Sequence, residues 1–357
     1  MAQVFKNLNL NGKSVDIVCE DGKITEIGKT ELNGIDFHGL SVYPGLIDIH
    51  THGADGADTL DDTPEKLSVF EAKHGITSFL PTTMTVSNEK LSSVLNKPLP
   101  KVSGAQILGY HLEGPYINEK YKGAQNSKYI RNPDISEFSK FQNIKMVTIA
   151  PELENSMEFI KAADAVVSIG HTDADYDTTA KAADAGAKCI THIFNAMPPL
   201  HHRMPAVVGA AFDKNMYAQV ICDGIHIHPS VIRILYRLFT ADRLILISDS
   251  MRATGLPDGN YEFGALNIIV KDKIARTEDG ALAGSTSTLF DCVKSAIRFG
   301  IPKEDAFKMA SETPAKLMGF NKGVIKEGYD CDLLVLDDKL NINAVIIGGE
   351  IFNGGGF

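Results

Sequence analysis

"PGLIDIHTHG", Pro44 to Gly53, is an apolar run that ends in two histidines one residue apart. On a β-strand, residues i and i+2 point to one face. His50 and His52 are therefore expected to project together from the end of a buried strand. Two imidazoles side by side suggest a metal, and the remaining ligands must come from elsewhere in the chain.

Seven more runs of this kind follow: "ITSFLPTT" from Ile76, "QILGYHLEG" from Gln106, "KMVTIAPE" from Lys145, "AVVSIGHT" from Ala165, "KCITHIFN" from Lys188, "YAQVICDG" from Tyr217 and "LILISDS" from Leu244. Most are separated by segments of helical composition, such as "DYDTTAKAADAGA" and "PSVIRILYRLF". Eight parallel strands alternating with helices predict an α/β chain of the TIM-type (β/α)8 barrel class. A doubly wound sheet would give a similar list of runs, so the polar residues at the strand ends decide.

In a barrel, chemistry gathers at the C-terminal ends of the strands. Strand one ends in His50 and His52, strand three in Glu113 ("HLEGP"), strand five in His171 ("GHT"), strand six in His192 ("THIFNAMP") and strand eight in Asp249 ("ISDSM"). Strand seven runs into "CDGIHIHP", with His226 and His228. A lone histidine in such a place reads as structural. The repeated placement of imidazole and carboxylate where an apolar strand meets a loop points to a divalent metal site.

The 357 residues suit one such barrel with an appendage. A formal net charge of −10 with no basic block argues against a nucleic-acid partner. Cys19, Cys189, Cys222, Cys292 and Cys331 are scattered and form no CxxC, so neither a disulfide framework nor a thiolate zinc knuckle is expected. No signal-peptide core stands in "MAQVFKNLNLNGKSVDIV", and no apolar run reaches membrane-spanning length, so a cytoplasmic enzyme with no membrane partner is expected. "SVDIVCEDGKITEIGK" reads as two β-runs joined by a hairpin turn at Glu20-Asp21-Gly22, and the C-terminal "CDLLVLDDKLNINAVIIGGEIFNGG" has the same character. Residues 1–43 and 322–357 are thus predicted to build a small β-sandwich domain from both termini, beside a catalytic barrel over 44–321.

Taken together, "PGLIDIHTHG", "HLEGP", "GHT", "THIFNAMP" and "SDSMRATGLPDG" resemble the amidohydrolase superfamily and, within it, the N-acetylglucosamine-6-phosphate deacetylase family. "LAGSTSTL" from Leu282, "TPAKLMG" from Thr313 and "KGVIKEGYDCDLLVLD" from Lys322 fit the same family, so the resemblance covers about residues 40–337. It implies a metal-dependent hydrolase barrel with one divalent ion on Glu113, His171 and His192. A second ion would use His50 and His52 and share Glu113. Zinc is the first expectation, and iron, manganese and cobalt suit the same ligands. Other amidohydrolases bridge their metals with a carboxylated lysine at the end of strand four; "TIAPE" offers none, which leaves Glu113 as the implied bridge.

The reaction implied is removal of the acetyl group from N-acetyl-D-glucosamine 6-phosphate by metal-activated hydroxide, with Asp249 as general base and then general acid. The resemblance assigns substrate contacts to the backbone amides of Asn195 and Ala196, to Arg203 and to His226. Gln125 stands where some members carry a histidine near the acetyl group. Arg203 can reach a partner's site in that family, which implies a homodimer. His201 and His202 read as a polar loop, and His228 stays open between substrate and structural roles. Gly284 and Ser285 resemble a loop near the substrate, while the same stretch also reads as a capped helix start. "TPAKLMG" is expected to pack the barrel onto the small domain. The competing readings are the galactosamine epimer of the substrate, a cyclic amide, and a catalytically dead barrel that senses sugar phosphate. The missing strand-four lysine and the presence of Arg203 weigh against the cyclic amide, and the full ligand set weighs against the sensor.

Overall fold

The structure, a computed structural model, describes residues 2–61, 63–264 and 266–353. Met1 and residues 354–357, the outer ends of the two terminal segments, lie outside the described residues.

The barrel strands are β1 (Leu46–Thr51), β2 (Ile76–Thr83), β3 (Tyr110–Glu113), β4 (Ile144–Ile149), β5 (Val166–Ile169), β6 (Cys189–Ile190), β7 (Tyr217–Ile221) and β8 (Leu244–Ile247). Each lies parallel to the next. The third run is broken: Gln106–Ile107 pairs with β2 first, and Gly109, at φ +141°, turns the chain before β3 begins. Closure occurs just beyond the strands. Asp249 N–H donates to His50 O at 2.9 Å, and His52 N–H to Ser250 O at 2.8 Å. The residues that close the ring are thus the site residues themselves or their neighbours.

Branched apolar side chains fill the barrel interior: Ile47, Ile49, Leu80, Ile221, Ile245 and Ile247. Ala315 and Leu317 of the helix Glu312–Met318 join this cluster. Ile47 N–H, at the start of β1, donates to Ala310 O at 2.8 Å. The "TPAKLMG" helix therefore packs against the bottom of the barrel, and its first turn also borders the C-terminal segment at Gly323. With that end closed and packed, the opposite end is left for chemistry.

Both termini share one sheet, which includes Gln3–Leu10, Lys13–Glu20, Lys23–Gly28, Ser41–Pro44, Leu333–Leu336 and Ile342–Ile347. Asp21 and Gly22 both have positive φ, +49° and +75°, as a tight two-residue hairpin requires. The sheet folds over so that Cys331 N–H donates to Gly22 O at 2.8 Å, enclosing Phe5, Leu8, Ile17, Leu333, Val335 and Ile346.

A three-stranded antiparallel sheet, Gly259–Phe263, Leu266–Lys271 and Ile274–Thr277, follows β8. It was not anticipated from the sequence, and it sets Phe263 edge-on to His52, with centroids 5.1 Å apart. Among the described residues no helix is long and apolar enough to cross a membrane.

One buried carboxyl lies behind β1. Glu71, on the helix Pro64–Lys73, accepts from Thr51 Oγ1 at 3.4 Å and is almost wholly enclosed. Burial, reinforced by the nearby Asp48 carboxylate, pushes its pKa well above the usual carboxylate range. A folded pKa above the unfolded one of about 4.3 gives stability that is present below that value and lost as pH rises through the folded pKa. Glu71→Gln is therefore expected to stabilise the protein by about 1 kcal/mol or more at neutral and alkaline pH. At pH 4 it should change little. Thermal unfolding of both forms from pH 4 to 9 checks this; parallel curves would contradict it.

Candidate active site

At the open end of the barrel, side chains from the ends of four other strands gather around Glu113 on β3. The strand ends are bent to bring them there. His171, His192 and Asp249 have φ of +48°, +27° and +48°, in the left-handed region that side chains other than glycine avoid. Such a backbone costs about 1 kcal/mol or more per residue and recurs where a site over-determines the chain. Gly114 has the same geometry, φ +71°, for a further reason: a Cβ there would overlap Thr85 Oγ1.

Glu113 Oε1 lies 3.3 Å from the Nε2 atoms of His50 and His171 and 3.1 Å from that of His192, while Oε2 lies 3.3 Å from His52 Nε2. His50 and His52 Nε2 are 3.3 Å apart, and His171 and His192 Nε2 are 3.1 Å apart. Asp249 Oδ1 stands 3.4 Å from His50 Nε2 and 3.3 Å from His52 Nε2. Two groups able to hold a metal result, His50/His52/Glu113 and Glu113/His171/His192, joined by the one carboxylate. Two ligand atoms about 2.0–2.1 Å from a tetrahedral ion stand about 3.4 Å apart, close to the spacings seen in both groups.

The outer hydrogen bonds aim the lone pairs inward. His52 Nδ1 donates to Thr82 O at 3.1 Å, His171 Nδ1 to Tyr121 O at 2.8 Å, and His50 Nδ1 to Gln219 Oε1 at 3.0 Å. With Nδ1 donating outward, each of these rings turns its Nε2 to the cluster, the orientation a metal ligand needs. Among the described residues, His192 Nδ1 is buried without a partner.

The electrostatics ask for positive charge at the same point. Burial alone would raise the Glu113 carboxyl, but His50 and His171 outweigh it and hold it well below the usual range. Asp249 is likewise brought down to about 2 against burial, chiefly by His50 and His52. His52 is pushed up to about 10, with Asp249 and Glu113 overcoming its burial. The carboxylates are thus ionised and face a centre that a proton or a divalent cation must occupy. The donor set fits such a cation.

A cavity of ≈ 390 Å³, within the small-molecule range, opens above this cluster. His52, Glu113, His171, His192 and Asp249 form its floor, and Asn195, Ala196, His226 and Gln125 line it. His226 Nδ1 is fixed at 2.7 Å from Asp223 Oδ2, which raises the His226 pKa against its burial. Of the two backbone amides, Asn195 N–H is engaged with His192 O at 2.9 Å, while Ala196 N–H has no partner among the described residues. Gly284 also lines the cavity, and Thr288 with Asp291 forms a capping box on the following helix, so both readings of "LAGSTS" hold.

Some residues sit elsewhere. Arg203 is exposed and lines a separate cleft with Tyr176 and Met204, its Nη1 2.8 Å from His202 Nε2. His228 caps the helix Pro229–Arg243 by accepting from Ser230 N–H. Gln125, buried, turns both ends of its amide to protein: Oε1 accepts from Thr85 N–H at 2.6 Å, and Nε2 donates to Glu113 Oε2 at 2.7 Å. Outer partners of metal ligands commonly contribute 10- to 100-fold in affinity, so Gln125→Leu is expected to weaken metal binding by about that factor. Competition with a chromophoric chelator measures this directly.

Several participants carried no sequence signal. Gln219 holds His50, and His111, one layer deeper, sets its ring edge-on to His50 at 4.6 Å and its Nε2 2.8 Å from Thr148 Oγ1. The odd-even pattern of β7 places Gln219 inward with Ile221, which is the one hint available.

The amidohydrolase family model matches residues 41–352. The N-acetylglucosamine-6-phosphate deacetylase of Lysinibacillus sphaericus is 36% identical over 98% of this chain and 98% of its own. The N-acetylglucosamine-6-phosphate deacetylase of Thermotoga maritima superposes with a TM-score of 0.89 at 34% identity, covering 98% of this chain and 99% of that one. A variant of the Mycobacterium smegmatis enzyme, solved in complex with N-acetyl-D-glucosamine-6-phosphate, gives 0.89 at 29% identity with the same coverage. The chain belongs to the amidohydrolase family, on the branch that holds the N-acetylglucosamine-6-phosphate deacetylases.

Proposed function

We propose that this chain hydrolyses the acetamide of N-acetyl-D-glucosamine 6-phosphate to D-glucosamine 6-phosphate and acetate. One observation carries the reading: in a chain so similar to these deacetylases, Glu113 is ringed by four inward-aimed imidazoles and Asp249 stands at the cavity side of them. A divalent cation held by Glu113, His171 and His192, with a second on His50 and His52, supplies Lewis-acid chemistry, acidifying water and polarising an amide carbonyl. Zinc leads among the ions that suit these ligands.

Asp249 takes the proton of the attacking water and passes it to the departing nitrogen as the C–N bond breaks. Without that proton an amide anion would have to leave. His226, held by Asp223, offers a charged or neutral N–H to the sugar, and Ala196 N–H offers a backbone donor to its phosphate. Gln125 serves the substrate through Glu113, whose carboxylate it holds. Arg203, directed away from its own cavity, fits a role in the partner's site of a homodimer. Residues 44–321 make the catalytic barrel and 1–43 with 322–357 the accessory domain, and the setting is the cytoplasm.

The test is acetate release by the metal-loaded protein from N-acetylglucosamine 6-phosphate, its galactosamine epimer and unphosphorylated N-acetylglucosamine, with and without chelator. Chelator-sensitive turnover favouring the phosphorylated glucosamine compound supports the proposal. Preference for the epimer moves the substrate and keeps the chemistry. No release from any of the three, with metal bound, rejects it.

A further inference from the structure

The cavity above Glu113 is lined by two ionised carboxylates, yet the proposed substrate brings a phosphate into it. Arg203 lies outside this cavity. Among the described residues that line it, Lys120 is the one lysine or arginine.

Lys120 Nζ is 2.8 Å from Asp173 Oδ2 and 5.1 Å from the centroid of the Tyr121 ring. Both partners stand on fixed ground. Lys120 follows Asn118, whose Nδ2 donates to Glu152 Oε1 at 2.8 Å, and Asp173 N–H donates to the same oxygen at 2.6 Å. Glu152 therefore ties the loop after β3 to the turn after β5. The loop is held a second time by His171: Asn118 N–H donates to His171 O, and His171 Nδ1 to Tyr121 O, each at 2.8 Å. The turn in turn is held to the phosphate side of the cavity, since Thr172 N–H donates to Ala196 O at 3.1 Å. Lys120 and Ala196 thus line one cavity from segments tied to each other through Glu152 and Thr172.

We infer that Lys120 is the cation with which this chain itself engages the phosphate of the sugar, and that Asp173 parks it there until the phosphate arrives. The exchange is favourable in direction. An exposed lysine–carboxylate pair holds weakly in water. A phosphate dianion offers more charge and three acceptor oxygens to the same ammonium. Lysine suits the task, as a mobile point charge on a flexible stem. The inference rests on the deacetylase reading above.

The experiment uses the metal-loaded full chain with Lys120→Met, Lys120→Arg and Asp173→Asn. Lys120→Met is expected to raise KM for N-acetylglucosamine 6-phosphate about tenfold, with kcat changed no more than about twofold. Its kcat/KM for unphosphorylated N-acetylglucosamine should stay at the wild-type value. Lys120→Arg should keep most of the affinity, and Asp173→Asn should lower KM about twofold by freeing the ammonium. Calorimetry with glucosamine 6-phosphate gives a second readout that needs no turnover. If the wild type binds this compound but releases no acetate, the deacetylase reading falls, and weaker binding by Lys120→Met alone keeps the assignment of Lys120. Unchanged KM and affinity in Lys120→Met, equal losses for phosphorylated and unphosphorylated sugar, or no binding by the wild type would each overturn it.

Discussion

Replacing Asp249 by Asn is expected to lower kcat by about 10³-fold or more while the protein keeps its metal and its substrate affinity. General acid–base catalysis is worth roughly 10²–10⁴, and here one carboxylate is asked to act twice, on the water and on the leaving nitrogen. The geometry allows this separation. Asp249 Oδ1 borders the β1 histidines at 3.3–3.4 Å but is absent from both groups able to enclose a cation. Asparagine keeps its shape, and the backbone that fixes it is untouched: Asp249 N–H still donates to His50 O, and Ser285 N–H to Asp249 O at 2.8 Å. Asparagine can neither take nor return the proton. Steady-state kinetics alongside metal analysis decides the matter. Lost turnover with full metal content supports the proton-transfer role. Near-normal turnover would leave Asp249 with no part in the chemistry, and loss of metal would make it a ligand.

How far the site could be read from the sequence depended on what kind of atom did the work. Glu113, His171, His192, His50, His52 and Asp249 were legible because each ends an apolar run, and a barrel aims the ends of its strands at one place. Period-two alternation placed His50 and His52 on one face, and their Nε2 atoms are 3.3 Å apart. The hydrogen bonds that orient the rings were not legible. Two of the three acceptors are main-chain carbonyls, Thr82 O and Tyr121 O, and every residue has one. Gln125 was visible as a residue, but which of its two ends met what depended on Thr85 N–H, forty positions away. The hairpins after β8 carry little sequence signal because their strands are only partly buried: "GNYEF" has a single fully buried residue, Phe263, and it faces the site. The third barrel strand was legible as one run and is built as two pieces, since a glycine at φ +141° leaves no trace in hydropathy.

Glu113 is the residue whose loss should matter most, because both metal groups close through it. Glu113→Gln keeps the side chain's size and one carbonyl oxygen but removes the charge that offsets the ring of imidazoles. Glu113 sits within 3.3 Å of all four imidazole Nε2 atoms and belongs to both groups able to hold a metal. The amide would also turn an N–H toward Gln125 Nε2 or toward an imidazole lone pair, adding a donor where acceptors are required. Replacing His50 or His52 by Asn removes ligands from one group only and leaves Glu113/His171/His192 complete. Metal analysis should therefore show a graded pattern: ion lost from one position in His50→Asn, and ion lost from both in Glu113→Gln. Activity in Glu113→Gln should fall by at least about 10³-fold, equivalent to roughly 4 kcal/mol of lost transition-state stabilisation. Equal metal loss in the two variants would mean that the β1 pair is needed to assemble the whole centre. Full metal retention in Glu113→Gln would mean that the imidazoles suffice and that the carboxylate does not bridge.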